Sequence, residues 1–138
     1  MRKTVLFFLF IVIISSCSKK EVKVQPGDSI RARAAIEQLQ KIREYYVSKD
    51  AEGLRSMTTS EGFKTVAANM NNFDSAELKL SIRWVDIKDN STVVLAAWDG
   101  QWKQSSQSMT EKGTAMFVFT GTPLKLDAIL RDSPFNYP

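Results

Sequence analysis

Chemistry in this chain would have to come from a short set of side chains. Asp86, Asp99 and Asp127 are the carboxylates that lie among apolar neighbours, and Tyr45 and Tyr46 are adjacent phenols. A carboxylate taken out of water can be tuned into a base near neutral pH, and a tyrosine can relay or donate a proton. The usual partner is missing, because the 138 residues contain no histidine, the commonest general base and metal ligand. No serine-nucleophile motif, phosphate-binding glycine loop or metal-ligand cluster can be read in the chain. Asp99 is followed by Gly100 between two tryptophans, a pattern that marks a bulge or bend in a strand more than a base. We therefore expect no catalytic residue, no cofactor and no metal.

Aromatic side chains offer recognition instead. Trp98 and Trp102 are four apart, so a regular strand turns them to one face, and Trp84 falls on the neighbouring strand. With Phe117 and Tyr46 they form a candidate surface for a ligand or a partner. Core packing and cross-strand pairing are the competing reading of the same rings. Asn90-Ser91-Thr92 matches a glycosylation sequon but sits at an expected hairpin, so it reads as turn chemistry.

These residues need elements to hold them. Asp28 or Ser29 can cap a helix reaching about Ser48, with Ile36, Leu39, Ile42 or Arg43, and Tyr46 at three- to four-residue spacing. Asp50 can cap a second helix through Met57. Thr59 or Ser60 can cap a third, with Phe63, Val66, Ala67 and Met70 on one stripe. After Phe73 the period drops to two. Leu78, Leu80, Ile82 and Trp84 alternate with Lys79, Ser81 and Arg83, and a turn at Asp89-Asn90 follows. Strands are expected over Thr92–Lys103 and Thr110–Thr120, joined by a polar loop from Gln104 to Ser108. A last strand alternates Leu124, Leu126, Ala128 and Leu130. Helices followed by antiparallel strands predict an α+β domain over residues 29–138, with the helices on one sheet face. Val93-Val94-Leu95-Ala96-Ala97 and Ala115-Met116-Phe117-Val118-Phe119 do not alternate, which suggests that the other face is covered too. A homodimer formed through that face would cover it; so would strong sheet curvature within one chain.

The amino end reads as an address. Arg2 and Lys3 precede an unbroken apolar run from Val5 to Ile14, too short to span a bilayer, which takes about 20 residues. Ile14-Ser15-Ser16-Cys17 resembles the bacterial lipobox. That resemblance implies cleavage between Ser16 and Cys17 and lipid attachment to Cys17, the only cysteine in the chain. Residues 1–16 would be the signal peptide, and residues 17–28 the lipidated cysteine with a flexible tether ending in Pro26-Gly27. Ser18, rather than aspartate, follows the cysteine. By the same resemblance the anchor points to the cell envelope, on the periplasmic side of the outer membrane where a cell has two membranes. The net charge of +4 sits mainly in this region, because residues from Ser29 onward carry 14 basic and 13 acidic side chains. A domain so nearly neutral gives no support to nucleic-acid binding.

The element order resembles the nuclear transport factor 2-like superfamily, which includes the SnoaL-like proteins. Tyr45-Tyr46-Val47-Ser48-Lys49-Asp50-Ala51-Glu52-Gly53-Leu54 resembles its passage from long helix to short helix, where a leucine plugs the cone. Thr114 to Phe119 and Leu126 to Asp132 resemble its two closing strands. The resemblance implies a cone of helices cupped by a curved antiparallel sheet; a cystatin-like helix-on-sheet fold is the alternative. Catalytic members of the superfamily place acids, histidines or tyrosines inside the cone. This sequence departs from that pattern in having no histidine to pair with an aspartate, and we expect a non-catalytic domain that binds a protein or a small apolar ligand. The other readings are a small SnoaL-type enzyme acting on an apolar ligand in the cone, and an accessory structural subunit of an envelope complex.

Overall fold

A computed structural model describes residues 26–138. The signal, the Ser16–Cys17 junction and the tether up to Gln25 lie outside the described residues. Three helices, α1 (Pro26–Ser48), α2 (Ala51–Met57) and α3 (Ser60–Ala67), precede four strands: β1 (Ser75–Ile87), β2 (Ser91–Gln104), β3 (Gln107–Thr120) and β4 (Lys125–Arg131). A single 3-10 turn, Pro134–Asn136, follows. The strands form one antiparallel sheet in the order β1-β2-β3-β4. The helices pack on one face of this curved sheet, as the resemblance implied.

Helix α1 begins at Pro26, earlier than the expected cap at Asp28 or Ser29. Pro26-Gly27 therefore does not break the structure. Proline fits the first turn of a helix, where its missing N–H would have no intrahelical partner. Ala35, Leu39, Ile42 and Tyr46 bury one stripe completely. Gln38 Nε2 donates to the Leu124 carbonyl at 3.1 Å, and Arg31 Nη1 reaches the Asp89 carbonyl at 3.5 Å. The helix ends at Ser48, and Lys49 after it has a φ of 60°, one that glycine usually supplies. Its ammonium donates to the Phe73 carbonyl and lies 4.8 Å from the centre of the Phe73 ring, contacts that hold the turn. Asp50 then caps α2, accepting from Gly53 N at 2.9 Å, and Leu54 is fully buried. Thr59 caps α3 through Gly62 N at 3.1 Å.

The sheet departs from simple alternation at two bulges. In β1 the register shifts between Ile82 and Trp84. Leu78, Leu80 and Ile82 face the helices as expected, but the extra residue turns Trp84 to the opposite, outer face, where it is 41% exposed. In β4 the shift falls opposite Val118 and Phe119, leaving Asp127 as the extra residue. Leu126 stays inside, while Ala128 and Leu130 turn outward. The expected bend at Asp99-Gly100 is absent, because pairing to both neighbours runs through it without a break. The Gln104–Ser108 loop is shorter than expected. Gln104 already pairs with Gln107, and Ser105-Ser106 closes the hairpin with Ser105 at φ 54°. The Asp89-Asn90 turn forms without a positive φ, and Lys88 N bonds the Ser91 carbonyl across it at 2.8 Å.

Every described element contributes to one core. A chain starting at Pro26 is expected to unfold in a single cooperative transition in urea, with fluorescence and circular dichroism coincident. Non-coincident curves would show that the domain boundary is wrong.

Candidate functional site

The inner face of β2 builds the middle of the cone. Val94, Ala96, Trp98, Gly100 and Trp102 point to the helices and are all buried. Gly100 explains itself here: a side chain at this position would collide with the Trp102 indole, which folds back over the strand. The dipeptide read as a bend is therefore space for a ring. Trp98 and Trp102 meet edge to face, with centroids 6.3 Å apart.

Tyr46, from the last turns of α1, enters this cluster from the helix side. Its ring packs on Phe73 at 5.2 Å and on Phe135 at 4.7 Å. Its hydroxyl accepts from Trp102 Nε1 and donates to the Tyr137 carbonyl, both at 3.0 Å. Trp98 Nε1 donates to the Asp132 carbonyl at 2.7 Å, and Asn69 Nδ2 donates to the Phe135 carbonyl at 3.1 Å. Residues 132–138 thus cover this cluster as a strap. Its carbonyls take the cone's donors, Phe135 fills the interior, and Tyr137 lies 5.6 Å from each indole. Burial pushes the Tyr46 phenol up to about 12, against the opposing effect of the Trp102 hydrogen bond. Burial and the Asp132 carboxylate push the Tyr137 phenol up as well.

The five candidate recognition residues therefore divide. Tyr46, Trp98, Trp102 and Phe117 come together inside the cone, each 3% exposed or less. Trp84 stands alone on the other face. The strap was missed in the sequence because a stretch such as Ser133-Pro134-Phe135-Asn136-Tyr137 has no period. Its only signal was two aromatics after the last strand, in a segment too short to be an element.

The three aspartates are not brought together. Asp86 is exposed and pairs with Lys88 at 3.6 Å. Asp99 is exposed on the outer face, in register between Lys79 and Lys112. Asp127, in the β4 bulge, accepts from Thr59 Oγ1 at 2.8 Å and so supports the cap of α3. Tyr45 is half-buried beside the α2 cap. Among the described residues no three acidic, cysteine or histidine side chains gather as a metal would require.

The outer face has its own pattern. Trp84, Leu95, Met116 and Leu130 stand directly opposite one another across all four strands, with Trp84 and Leu130 41% and 49% exposed. Asp86, Val93, Val118 and Ala128 form the next row. Toward the other end the rows turn polar: Lys79, Asp99 and Lys112, then Glu77, Gln101 and Thr110. Val93 and Met116 lie on the outer face with Trp84, away from Trp98 and Trp102.

No protein-family model matches the chain, and no curated protein matches it. Solved structures do. A nuclear transport factor 2-like superfamily protein from Salmonella enterica superposes with a TM-score of 0.65 at 14% identity, over 77% of this chain and 92% of the other. A conserved protein from Planctomyces limnophilus gives 0.62 at 14% identity, over 77% and 98%. A candidate dehydratase of the NTF2-like family from Streptomyces avermitilis gives 0.61 at 14% identity, over 75% and 99%. At such identities the likeness is one of fold, and the fold is NTF2-like rather than cystatin-like.

Replacing Tyr46 with Phe leaves the Trp102 N–H and the Tyr137 carbonyl without their partner, at a cost of about 1–3 kcal/mol in urea unfolding. The same variant tests the titration. Below pH 10 the phenol is protonated folded and unfolded, so its contribution is complete. Between pH 10 and about 12 only the unfolded chain ionises, and stability falls as pH rises. Tyr46→Phe should lose less stability than the parent chain across that window; equal slopes would contradict the burial of the phenol.

Proposed function

We propose that this chain is an envelope lipoprotein, held to the membrane through Cys17, whose domain is a non-catalytic binding module that associates with a second copy through its strand half. The observation that carries the reading is the filled cone. Trp98, Trp102, Tyr46, Phe73, Phe117, Phe119 and Phe135 occupy the interior, each 3% exposed or less. The polar atoms Tyr46 and the two indoles bring there bond to one another or to the strap. A substrate in the cone would have to displace that strap, and the carboxylate it carries, Asp132, is exposed and accepts from the Tyr137 hydroxyl at 3.4 Å.

What remains for recognition is the strand half. The outer row of Trp84, Leu95, Met116 and Leu130 sets four large apolar side chains together, a patch of the kind soluble monomers rarely leave open. The edge of β1 adds a second unpaired surface. Cys17 supports the anchor through its register with Ile14, Ser15 and Ser16 and its place close before the first helix. Eight residues, Ser18 to Gln25, separate Cys17 from α1 and reach at most about 26–29 Å, which keeps the domain near its bilayer.

Mass spectrometry of the membrane-extracted chain, with light scattering on the same material in detergent, tests both parts. A diacylglyceryl-modified Cys17 at the amino end and a two-copy protein mass are expected, and Cys17→Ser should leave the precursor uncleaved. An unmodified Cys17 would overturn the anchor. A one-copy mass would overturn the self-association.

A further inference from the structure

Strand β1 is an edge of the sheet. Two observations fix which of its backbone groups face outward. The β2–β3 hairpin closes on the pair Gln104 and Gln107 across two residues, so the even-numbered residues of β2 bond β3 and the odd-numbered ones bond β1. Their β1 partners are Ser75, Glu77, Lys79 and Ser81. The N–H and C=O of Ala76, Leu78 and Leu80 therefore point away from the sheet. Independently, Arg43 Nη1 approaches the Leu78 carbonyl from α1.

That edge has a self-complementary sequence. In Ser75-Ala76-Glu77-Leu78-Lys79-Leu80-Ser81, a two-fold axis through Leu78 sets serine opposite serine, a small apolar residue opposite leucine, and glutamate opposite lysine. Glu77 and Lys79 lie on the outer face and are exposed; Ala76 and Leu78 lie on the inner face and are buried. Moving the axis by one residue either way puts Glu77 opposite Glu77, or Lys79 opposite Lys79, and like charges directly opposite destabilise a pair. Charge thus selects one register, and it is the one in which the outward-facing backbone of Leu78 meets itself. The usable length agrees, because the bulge after Ile82 turns the edge aside just beyond Ser81.

The groove beside the edge has room for the incoming strand. A space of about 430 Å³ lies between Arg43, Glu44 and Val47 on α1 and Ala76 to Lys79 on β1. Arg43 guards it weakly. Its Nη1 is 3.5 Å from the Leu78 carbonyl, the outer limit of a hydrogen bond, and its Nε is buried with no partner. An incoming strand would replace that contact with paired backbone groups.

We infer that two copies of this chain pair antiparallel through the β1 edge, with Leu78 at the two-fold axis and Glu77 opposite Lys79 of the partner subunit. The inference rests on the self-association proposed above and names its surface. The result is one continuous eight-stranded sheet. Its outer face stays open across both copies, so the row of Trp84, Leu95, Met116 and Leu130 is doubled. The arrangement is isologous and closed, as two-fold pairing requires.

Sedimentation of the full chain in detergent at micromolar concentration tests the register by charge exchange. Glu77→Lys and Lys79→Glu each put two like-charged pairs in the interface, and each should weaken the dimer about tenfold. The double variant Glu77→Lys/Lys79→Glu restores both pairs and should return to within about threefold of the parent chain. Leu130→Asp, on the outer face, should leave the dimer intact. A dimer indifferent to both charge variants but broken by Leu130→Asp would overturn the edge pairing while leaving self-association standing. A chain that stays monomeric would overturn both. Each of these side chains is exposed, so the variants keep the fold.

Discussion

Two indole N–H groups and a phenol sit inside an aromatic core, and each must be paired there. An unpaired buried polar group costs as much as several good contacts gain. Trp102 gives its proton to Tyr46, Tyr46 gives its own to the Tyr137 carbonyl, and Trp98 gives its proton to the Asp132 carbonyl. This requirement links parts of the chain far apart in sequence: the end of α1, the middle of β2 and the strap after β4. It sets the direction of the Trp102 ring, and so the need for glycine at position 100. It also keeps the strap over the cone, since the strap's carbonyls are the acceptors.

The outside is shaped by two added residues. Without the bulge in β1, Trp84 would continue the inner row of Leu78, Leu80 and Ile82. Without the bulge in β4, Ala128 and Leu130 would follow Leu126 inward. Each bulge reverses the alternation beyond it. The row of Trp84, Leu95, Met116 and Leu130 exists because each reversal comes before its strand reaches that level. The polar rows at the other end belong to the regular part of β1, where Glu77 and Lys79 border the free edge. Bulges therefore separate an apolar row from a charged edge on one four-stranded sheet, and give the domain two distinct surfaces.

Much of the fold was legible in the sequence. The caps at Asp50 and Thr59 were readable because a side-chain acceptor before a helix has a direct physical role. The stripe through Leu39 and Tyr46 and the shared face of Trp98 and Trp102 follow from period alone. What period cannot show is a bulge, which changes the phase with no marker of its own. Trp84 and Leu130 were thus counted with the wrong rows. Asp99-Gly100 misled for a related reason. Glycine in a strand can mark a bend or a close approach, and only the Trp102 ring decides between them. Pro26-Gly27 read as a break because proline and glycine punctuate loops, although proline is also welcome at a helix start. The strap was illegible, since its place depends on acceptors in the backbone, which every residue has.

Hydrogen exchange at the three indole N–H groups, followed by NMR on tryptophan-labelled protein, tests the closed cone most directly. The account predicts that the Trp98 and Trp102 protons exchange only through large-scale unfolding, and that the Trp84 proton exchanges freely. Comparable fast exchange at all three would mean that water reaches the cone, and would contradict a filled, paired interior.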